Sequence, residues 1–257
     1  MMIGYMVNNV LPLRAGEIVR VYVVSRRWGG RFWTTAATLV VERVLDSIFI
    51  VGLLGVLMFF VPVPPLVEAA ALVMLAIDVA AVSMIVAVAV APGRFRRIVD
   101  RLTSRWPGVH ARVVRAFETF VDGLDGIRTR GHLPPLVVWT GVVWIIPAVT
   151  AWSALKACDL HLPFIAGWTI LAFIGLGVSI PSAPGYIGVF HVAAKFATEM
   201  FGVSDAQALG YAIIFHALNF VPVTLVGWVF LLREQMTLGQ AAHVTAPPAT
   251  ETAPPSR

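Results

Sequence analysis

Charge is what this chain has least of. Only 13% of its 257 residues are Asp, Glu, Lys or Arg, against 58% hydrophobic, whereas soluble domains carry about 25% charged residues. A water-soluble globular fold is thereby excluded, and a polytopic membrane protein is expected. Cysteine is nearly absent: Cys158 stands alone, which rules out an intrachain disulfide and any multi-cysteine metal site. The histidines and acids show no zinc-type clustering, so no metal and no cofactor is expected. The chain has no phosphate-binding glycine loop, so the energy for any transport must come from a gradient or a partner. Met1 to Val7 is too short, and lacks the basic flank, to be a signal peptide. Lysine is scarce as well: two of the 19 basic residues are lysine, and the net charge of +5 is carried by arginine. A basic chain otherwise suggests nucleic acid, but here residues 92–132 hold nine arginines against four acids, a surplus equal to the whole net charge. Arginine gathered in one connecting segment is the positive-inside signature of a cytoplasmic loop, and no nucleic-acid partner is expected.

Long hydrophobic runs fill the rest. Residues 34–60 and 66–91 can each cross a hydrocarbon core of about 30 Å. The Val61-Pro62-Val63-Pro64-Pro65 link between them has no basic residue and belongs outside. Residues 133–155 cross next, 156–162 form a short outer loop, 163–180 enter from outside, and 205–232 cross inward to end at Arg233. The expected fold is all-α, a polytopic transmembrane bundle of about six or seven segments. It occupies residues 1–233, and residues 234–257, rich in Ala, Pro and Thr, read as a disordered cytoplasmic tail. Within the arginine-rich segment, Phe95, Ile98, Leu102 and Trp106 recur at helical spacing, as do Val113, Phe117, Phe120, Leu124 and Ile127. Two amphipathic helices are predicted there, lying on the inner leaflet or packed on other protein.

Two interruptions break the membrane-grade sequence. From Asn8 to Arg20 the chain reads Asn-Asn-Val-Leu-Pro-Leu-Arg-Ala-Gly-Glu-Ile-Val-Arg. Pro12 removes a backbone donor and disfavours a helical Leu11, and Gly16 adds permissive backbone four residues later. Arg14, Glu17 and Arg20 at bilayer depth each cost about 3 kcal/mol or more, so they must pair or face a wet cavity. The second interruption, Pro181-Ser182-Ala183-Pro184-Gly185-Tyr186-Ile187-Gly188, repeats the Pro-x-x-x-Gly spacing of Pro12 to Gly16. Paired breaks of this kind point to a transport site, because half-helix ends aim unsatisfied backbone groups at the membrane midplane. Two arrangements satisfy the first break. It is a hairpin entering and leaving from the cytoplasm, whose arms of about eight residues reach roughly 12 Å, or it is a full crossing preceded by helices outside this chain. In the first case a hairpin from the other side at 187–201 would complete an inverted pair.

Other intramembrane polar residues fall into sets. Glu42, Arg43 and Asp46 either partner Arg14 or Arg20 across the bundle or snorkel to the interface. Asp78, isolated among Ala and Val, needs an interior partner or a proton. His191, Lys195 and Glu199 recur every four residues as one stripe, and His216 and Asn219 form a smaller one. With Arg14, Arg20 and Lys195 as cations, these residues would line a site for an anionic head group; otherwise they satisfy only one another.

Taken together, Asn8 or Asn9 through Leu11-Pro12-Leu13-Arg14-x-Gly16-Glu17-x-x-Arg20, then Glu42-Arg43-x-x-Asp46, Pro181-Ser-x-Pro184-Gly185-x-x-Gly188 and His216-x-x-Asn219, resemble the lysylphosphatidylglycerol synthase transmembrane region family. Its members are often called flippase-like. The resemblance implies a multi-pass inner-membrane protein with its arginine-rich loop and C-terminus cytoplasmic. In two-domain members this region moves an aminoacylated lipid between leaflets, and a separate domain makes that lipid. The synthase domain has no counterpart here, so no aminoacyl transfer and no enzyme is expected. The resemblance assigns importance to Arg14, Glu17, Arg20, Glu42, Arg43, Asp46, Pro181, Pro184, Gly185 and Gly188. Relatives usually place further helices ahead of the first motif, so this chain is a short variant or lacks them. The function expected is movement of an anionic, aminoacylated or polyprenyl-linked lipid, with membrane lipids as partners. The rivals are a non-transporting scaffold for an envelope lipid- or glycan-modifying enzyme, and an intramembrane transferase using Glu17 or Asp46 as base. Oligomeric state is not encoded in any of these features.

Overall fold

A computed structural model describes residues 1–11, 14–124, 133–179 and 182–234, and helix is the regular structure found among them. The first interruption separates α1 (Met2–Val10) from α2 (Ala15–Trp28). Then come α3 (Phe32–Leu57) and α4 (Pro65–Val90), joined by the proline-rich link. The arginine-rich segment folds as α5 (Pro92–Thr103) and α6 (Pro107–Gly123). Each of α4, α5 and α6 begins with proline in its first turn, where a missing N–H leaves no bond unmade. There follow α7 (Leu133–Ala157), α8 (Phe164–Val178), a 3₁₀ turn at Pro184–Tyr186, α9 (Val189–Glu199) and α10 (Asp205–Arg233). The expected positions Pro12 and Pro181, residue Ile127 and the tail at 235–257 lie outside the described residues.

Length sorts the helices. α3, α4, α7 and α10 hold 25 to 29 residues each, roughly 38–44 Å at 1.5 Å per residue, and so exceed a bilayer core of about 30 Å. α4, α7 from Pro134 and α10 also have the apolar composition of a crossing, whereas α3 carries Glu42, Arg43 and Asp46. The other four membrane-grade helices are too short to cross. They pair instead as two hairpins. In the first, Gly4 of α1 lies on Gly16 and Arg20 of α2. In the second, Gly177 of α8 lies on Val189 and Ala193 of α9, with the Phe173 and Phe196 rings 5.9 Å apart. The first break is thus a turn between two helices packed side by side.

α10 is the spine that both hairpins share. Near its C-terminal end Gly227 receives Met2 and Met6 of α1, and Leu231 joins a core with Ile3, Met6, Val7, Ala15 and Val19. Near its N-terminal end Tyr211, Ala212 and Phe215 share a core with Phe190, Ala194 and Ala197 of α9. The hairpins therefore approach from opposite ends and meet where α10 carries His216 to Thr224. α1 and α9 together span about 30 Å at 1.5 Å per residue, one bilayer core. The contacts suit a lipid solvent, which gives helices no hydrophobic reason to associate and leaves close packing to hold them. Small residues accordingly occupy many of the fully buried positions: Ala148 and Ala151 of α7, Ala166 and Ala172 of α8, Ala194 and Ala197 of α9, Ala208 and Ala212 of α10.

The two amphipathic helices part company. Phe117, Phe120, Val121 and Leu124 pack with Ala37, Val41, Ile85, Val88 and Ala89, so the apolar stripe of α6 is covered by α3 and α4. From the α5 set Phe95 joins that cluster, while Ile98, Leu102 and Trp106 remain exposed. Asp78 is buried on the face of α4 that also buries Ala71 and Ala89, and among the described residues one of its carboxylate oxygens has no hydrogen-bond partner.

Candidate functional site

The site forms where the tips of the hairpins meet. A polar turn with no water to bond must find partners in protein or line a cavity, and the tips largely find them in each other. Arg14 takes a left-handed conformation (φ 54°) and, as the residue before α2, accepts the Glu17 N–H at 3.0 Å. Its guanidinium crosses to the second hairpin and donates to the Val178 carbonyl at the C-terminal end of α8. A cation there is favoured by the helix dipole and satisfies a carbonyl that lost its intrahelical donor. On the other tip Tyr186 is also left-handed (φ 58°), and its phenol lies beside the Arg14 guanidinium. Left-handed backbone costs an L-residue about 1–2 kcal/mol, and such strain gathers at functional sites. Gly185 (φ 65°) supplies the closest approach: a Cβ there would stand 3.2 Å from the Asn9 carbonyl oxygen and press into the Phe220 ring. Asn9 donates to Thr224 Oγ1 at 2.8 Å on α10, and Asn8 Oδ1 accepts the Gly16 N–H at 2.8 Å, closing the first hairpin on itself.

A charge network extends from this point into α3. Arg20 forms a two-pronged pair with Glu42, one prong at 2.8 Å. Arg43 bridges Glu42 at 2.7 Å and Asp46 at 2.8 Å, and Trp144 Nε1 of α7 donates to Asp46 at 3.3 Å. Arg14 and Glu17 stand 3.8 Å apart, too far for a good hydrogen bond. Three guanidiniums thus face three carboxylates, a balanced set that a membrane interior tolerates. The cations are not equally engaged. Arg20 is held by both its terminal nitrogens, whereas the Nε atoms of Arg14 and Arg43 are buried with no hydrogen-bond partner among the described residues, as is the Ser182 hydroxyl.

Two histidines close the far side. His216 Nε2 lies 2.8 Å from the Gly185 carbonyl oxygen, the His191 and His216 rings are 4.6 Å apart, and His191 Nδ1 accepts the Gly188 N–H at 3.3 Å. Pro184 opens the 3₁₀ turn between them. Asn219 turns back on its own helix, donating to the Phe215 carbonyl at 2.7 Å.

The structure therefore brings together Asn9, Arg14, Glu17, Arg20, Glu42, Arg43, Asp46, Pro184, Gly185, Gly188, His191 and His216. Lys195 does not join them. It pairs with Glu199 at 2.9 Å and Asp205 at 2.6 Å, fastening the base of the second hairpin to the start of α10. It sits roughly 9 Å farther along α9 than Val189, counting 1.5 Å per residue. Tyr186, Ser182, Thr224, Trp144 and the Val178 carbonyl were not singled out beforehand. Tyr186 and Ser182 lay inside the second interruption and were legible there; a backbone carbonyl has no signature in sequence. Among the described residues no group of three or more His, Cys, Asp or Glu is placed to hold a metal.

Helices long and apolar enough to cross a membrane, three of them among the described residues, and two opposed hairpins with a half-buried ionic cluster between their tips mark a multi-pass integral membrane protein. The chain belongs to the lysylphosphatidylglycerol synthase TM region family, the match running over residues 1–227. It is similar to a curated protein, Glycosyltransferase AglD of Haloferax volcanii, with 28% identity over 256 aligned positions that take in 86% of this chain and 40% of that protein. The chain thus corresponds to less than half the length of that relative. No solved structure matches.

Proposed function

We propose that this protein moves an anionic lipid head group across the membrane core, binding its phosphate at the junction of the two hairpins. The observation that carries this reading is Arg14. It is the least engaged of the three guanidiniums, reaches from one tip to the other, and keeps a buried Nε that has no hydrogen-bond partner among the described residues. An unsatisfied buried donor is costly, and a phosphate oxygen is the acceptor that the guanidinium fork fits. The N-terminal ends of α2 and α9, both at the junction, add partial positive charge. In this reading Arg43 is a second donor, Glu17, Glu42, Asp46 and Arg20 hold the arginines in place, and His191, His216 and Asn9 line the passage. The cargo is an aminoacylated or polyprenyl-linked lipid of the inner membrane, with the arginine-rich end cytoplasmic. The family's name supports the first lipid class; the glycosyltransferase name of one relative speaks for glycan chemistry, in which the second class would be the carrier.

That name also favours a second reading, a non-transporting scaffold for an envelope glycan- or lipid-modifying enzyme. One experiment separates the two. The purified chain is placed in liposomes with fluorescent phosphatidylglycerol or a fluorescent polyprenyl phosphate, and a membrane-impermeant reductant reports which leaflet each label occupies. Movement above the protein-free rate, lost in Arg14→Ala and partly kept in Arg14→Lys at unchanged melting temperature, supports translocation. Movement equal to protein-free liposomes for both lipids, from folded protein, overturns it in favour of the scaffold.

A further inference from the structure

α5 is amphipathic, and it turns its mixed face away from the protein. With successive residues about 100° apart around a helix, Phe95, Val99 and Thr103 share one side. That side is taken up by protein contacts: Phe95 packs against the Ala37–Val88 cluster, and Thr103 Oγ1 bonds His110 at 2.7 Å. The adjoining side has no cover. Ile98 is 49% exposed, Leu102 69% and, just beyond the helix, Trp106 61%. Arg94 and Arg101 lie about 40° and 60° from Ile98, both on the side away from Leu102, and Arg105 follows on that side. Arg96, on the opposite side, is neutralised by Glu118 at 2.6 Å; Arg94, Arg97, Arg101 and Arg105 have no carboxylate partner among the described residues. Position is fixed too. α5 starts two residues after α4 ends, and α4 is a membrane crossing, so α5 begins at the level where hydrocarbon gives way to head groups.

We propose that this face of α5 is a docking surface for the anionic phospholipid leaflet on its own side of the membrane. Ile98, Leu102 and Trp106 enter the acyl boundary while Arg94, Arg97, Arg101 and Arg105 extend to lipid phosphates. Three observations select a lipid occupant over a protein one. The apolar patch is a narrow ridge bordered along one edge by cations that have no carboxylate partner among the described residues. Its long arginine stems suit snorkelling from an apolar bed. Tryptophan at the end of the ridge is the residue enriched at membrane interfaces. A short amphipathic helix binds such a surface by apolar burial and by attraction to anionic lipid together, and each arginine near the surface contributes about a fivefold gain. The consequence is an enrichment of anionic lipid beside the cluster on α3, independent of whether the hairpins transport anything.

The test places an environment-sensitive fluorophore at Leu102→Cys, with Cys158 replaced by Ala, in the full-length protein. It is reconstituted into phosphatidylcholine alone or an equal mixture with phosphatidylglycerol. The expected result is quenching by lipid-borne nitroxide and protection from aqueous iodide in the mixture. The docked fraction should fall at least several-fold in pure phosphatidylcholine or on joint Arg97→Gln, Arg101→Gln and Arg105→Gln replacement. Iodide access in both compositions would mean that α5 faces water. Protection from both quenchers would mean that protein covers it. Equal nitroxide quenching in both compositions would mean apolar docking without anion recognition. Any of these three overturns the proposal.

Discussion

Replacing Gly16 by alanine tests the first hairpin at its tightest point. A Cβ on Gly16 would overlap the Gly4 carbonyl oxygen and stand 2.7 Å from Asn8 Oδ1 and 2.8 Å from the Asn8 nitrogen. Carbon needs about 3.5 Å from such atoms, and two of the three neighbours are backbone, which has no rotamer to escape into. The arms must part by roughly 1 Å or more, at the 1–3 kcal/mol typical of overpacking. Separation also strains the Gly16 N–H bond to Asn8 at 2.8 Å, worth about 1 kcal/mol. Alanine returns about 1 kcal/mol of helix propensity, leaving a net loss of about 1–3 kcal/mol. Gly52→Ala in α3 is the matched control, since nothing lies within 4 Å of a Cβ there and the propensity gain is unopposed. Unfolding by SDS titration in mixed micelles should therefore separate the two variants by about 2–4 kcal/mol. Equal stability, or a more stable Gly16→Ala, would refute the close packing of α1 on α2.

Arg20→Ala and Glu42→Ala should each destabilise by about 1–3 kcal/mol, below the figure for a fully buried pair because Glu42 is partly exposed, and the double variant should cost little more than either. Strict additivity in that cycle would mean the pair contributes nothing. Asn9→Ala and Thr224→Val should each lose about 1 kcal/mol and together no more than one of them; independent effects would deny the bond between α1 and α10. Lys195→Ala should leave the rate of lipid movement in liposomes unchanged, since its partners lie at the base of the second hairpin and Asp205 is 76% exposed. A rate that drops as far as in Arg14→Ala would restore Lys195 to the binding site.

What could be read from sequence followed the strength of the local signal. Pro12 with Gly16, and Pro184 with Gly185, combine a missing backbone donor with permissive backbone and polar neighbours, so both interruptions were visible, whereas a lone proline such as Pro147 or Pro222 sits inside a continuous helix. The scarcity of charge made Arg20 and Glu42 conspicuous, and the expense of leaving either alone in lipid made a pairing of Glu42 with Arg14 or Arg20 one of the two readings open, the other being snorkelling to the interface. Lys195 shows the limit. The four-residue repeat His191, Lys195, Glu199 states that three residues share a face and says nothing of their depth, and α9 carries Lys195 away from the junction toward Asp205. The two amphipathic helices show it again: α5 and α6 have the same periodicity, but which stripe is covered depends on where the end of α4 delivers the chain.

The seam between the hairpins differs in kind from the contacts within them. Each hairpin is zipped by close small-residue packing, Gly4 on Gly16 in one and Gly177 on Ala193 in the other, and each is laid on its own half of α10 through an apolar core. Between the tips there are instead few contacts, mostly polar: Arg14 to the Val178 carbonyl, Arg14 beside Tyr186, and Asn9 against Gly185. In the proposed reading a bound anion would compete for the same Arg14 guanidinium that fastens the tips, so occupancy and closure of the seam would draw on one group. α10 is itself weakened at this level, because Pro222 offers no N–H to the Leu218 carbonyl one turn earlier. The spine can therefore bend between the half that carries α1 and the half that carries α9, and a bend there displaces the tips relative to each other without unpacking either hairpin.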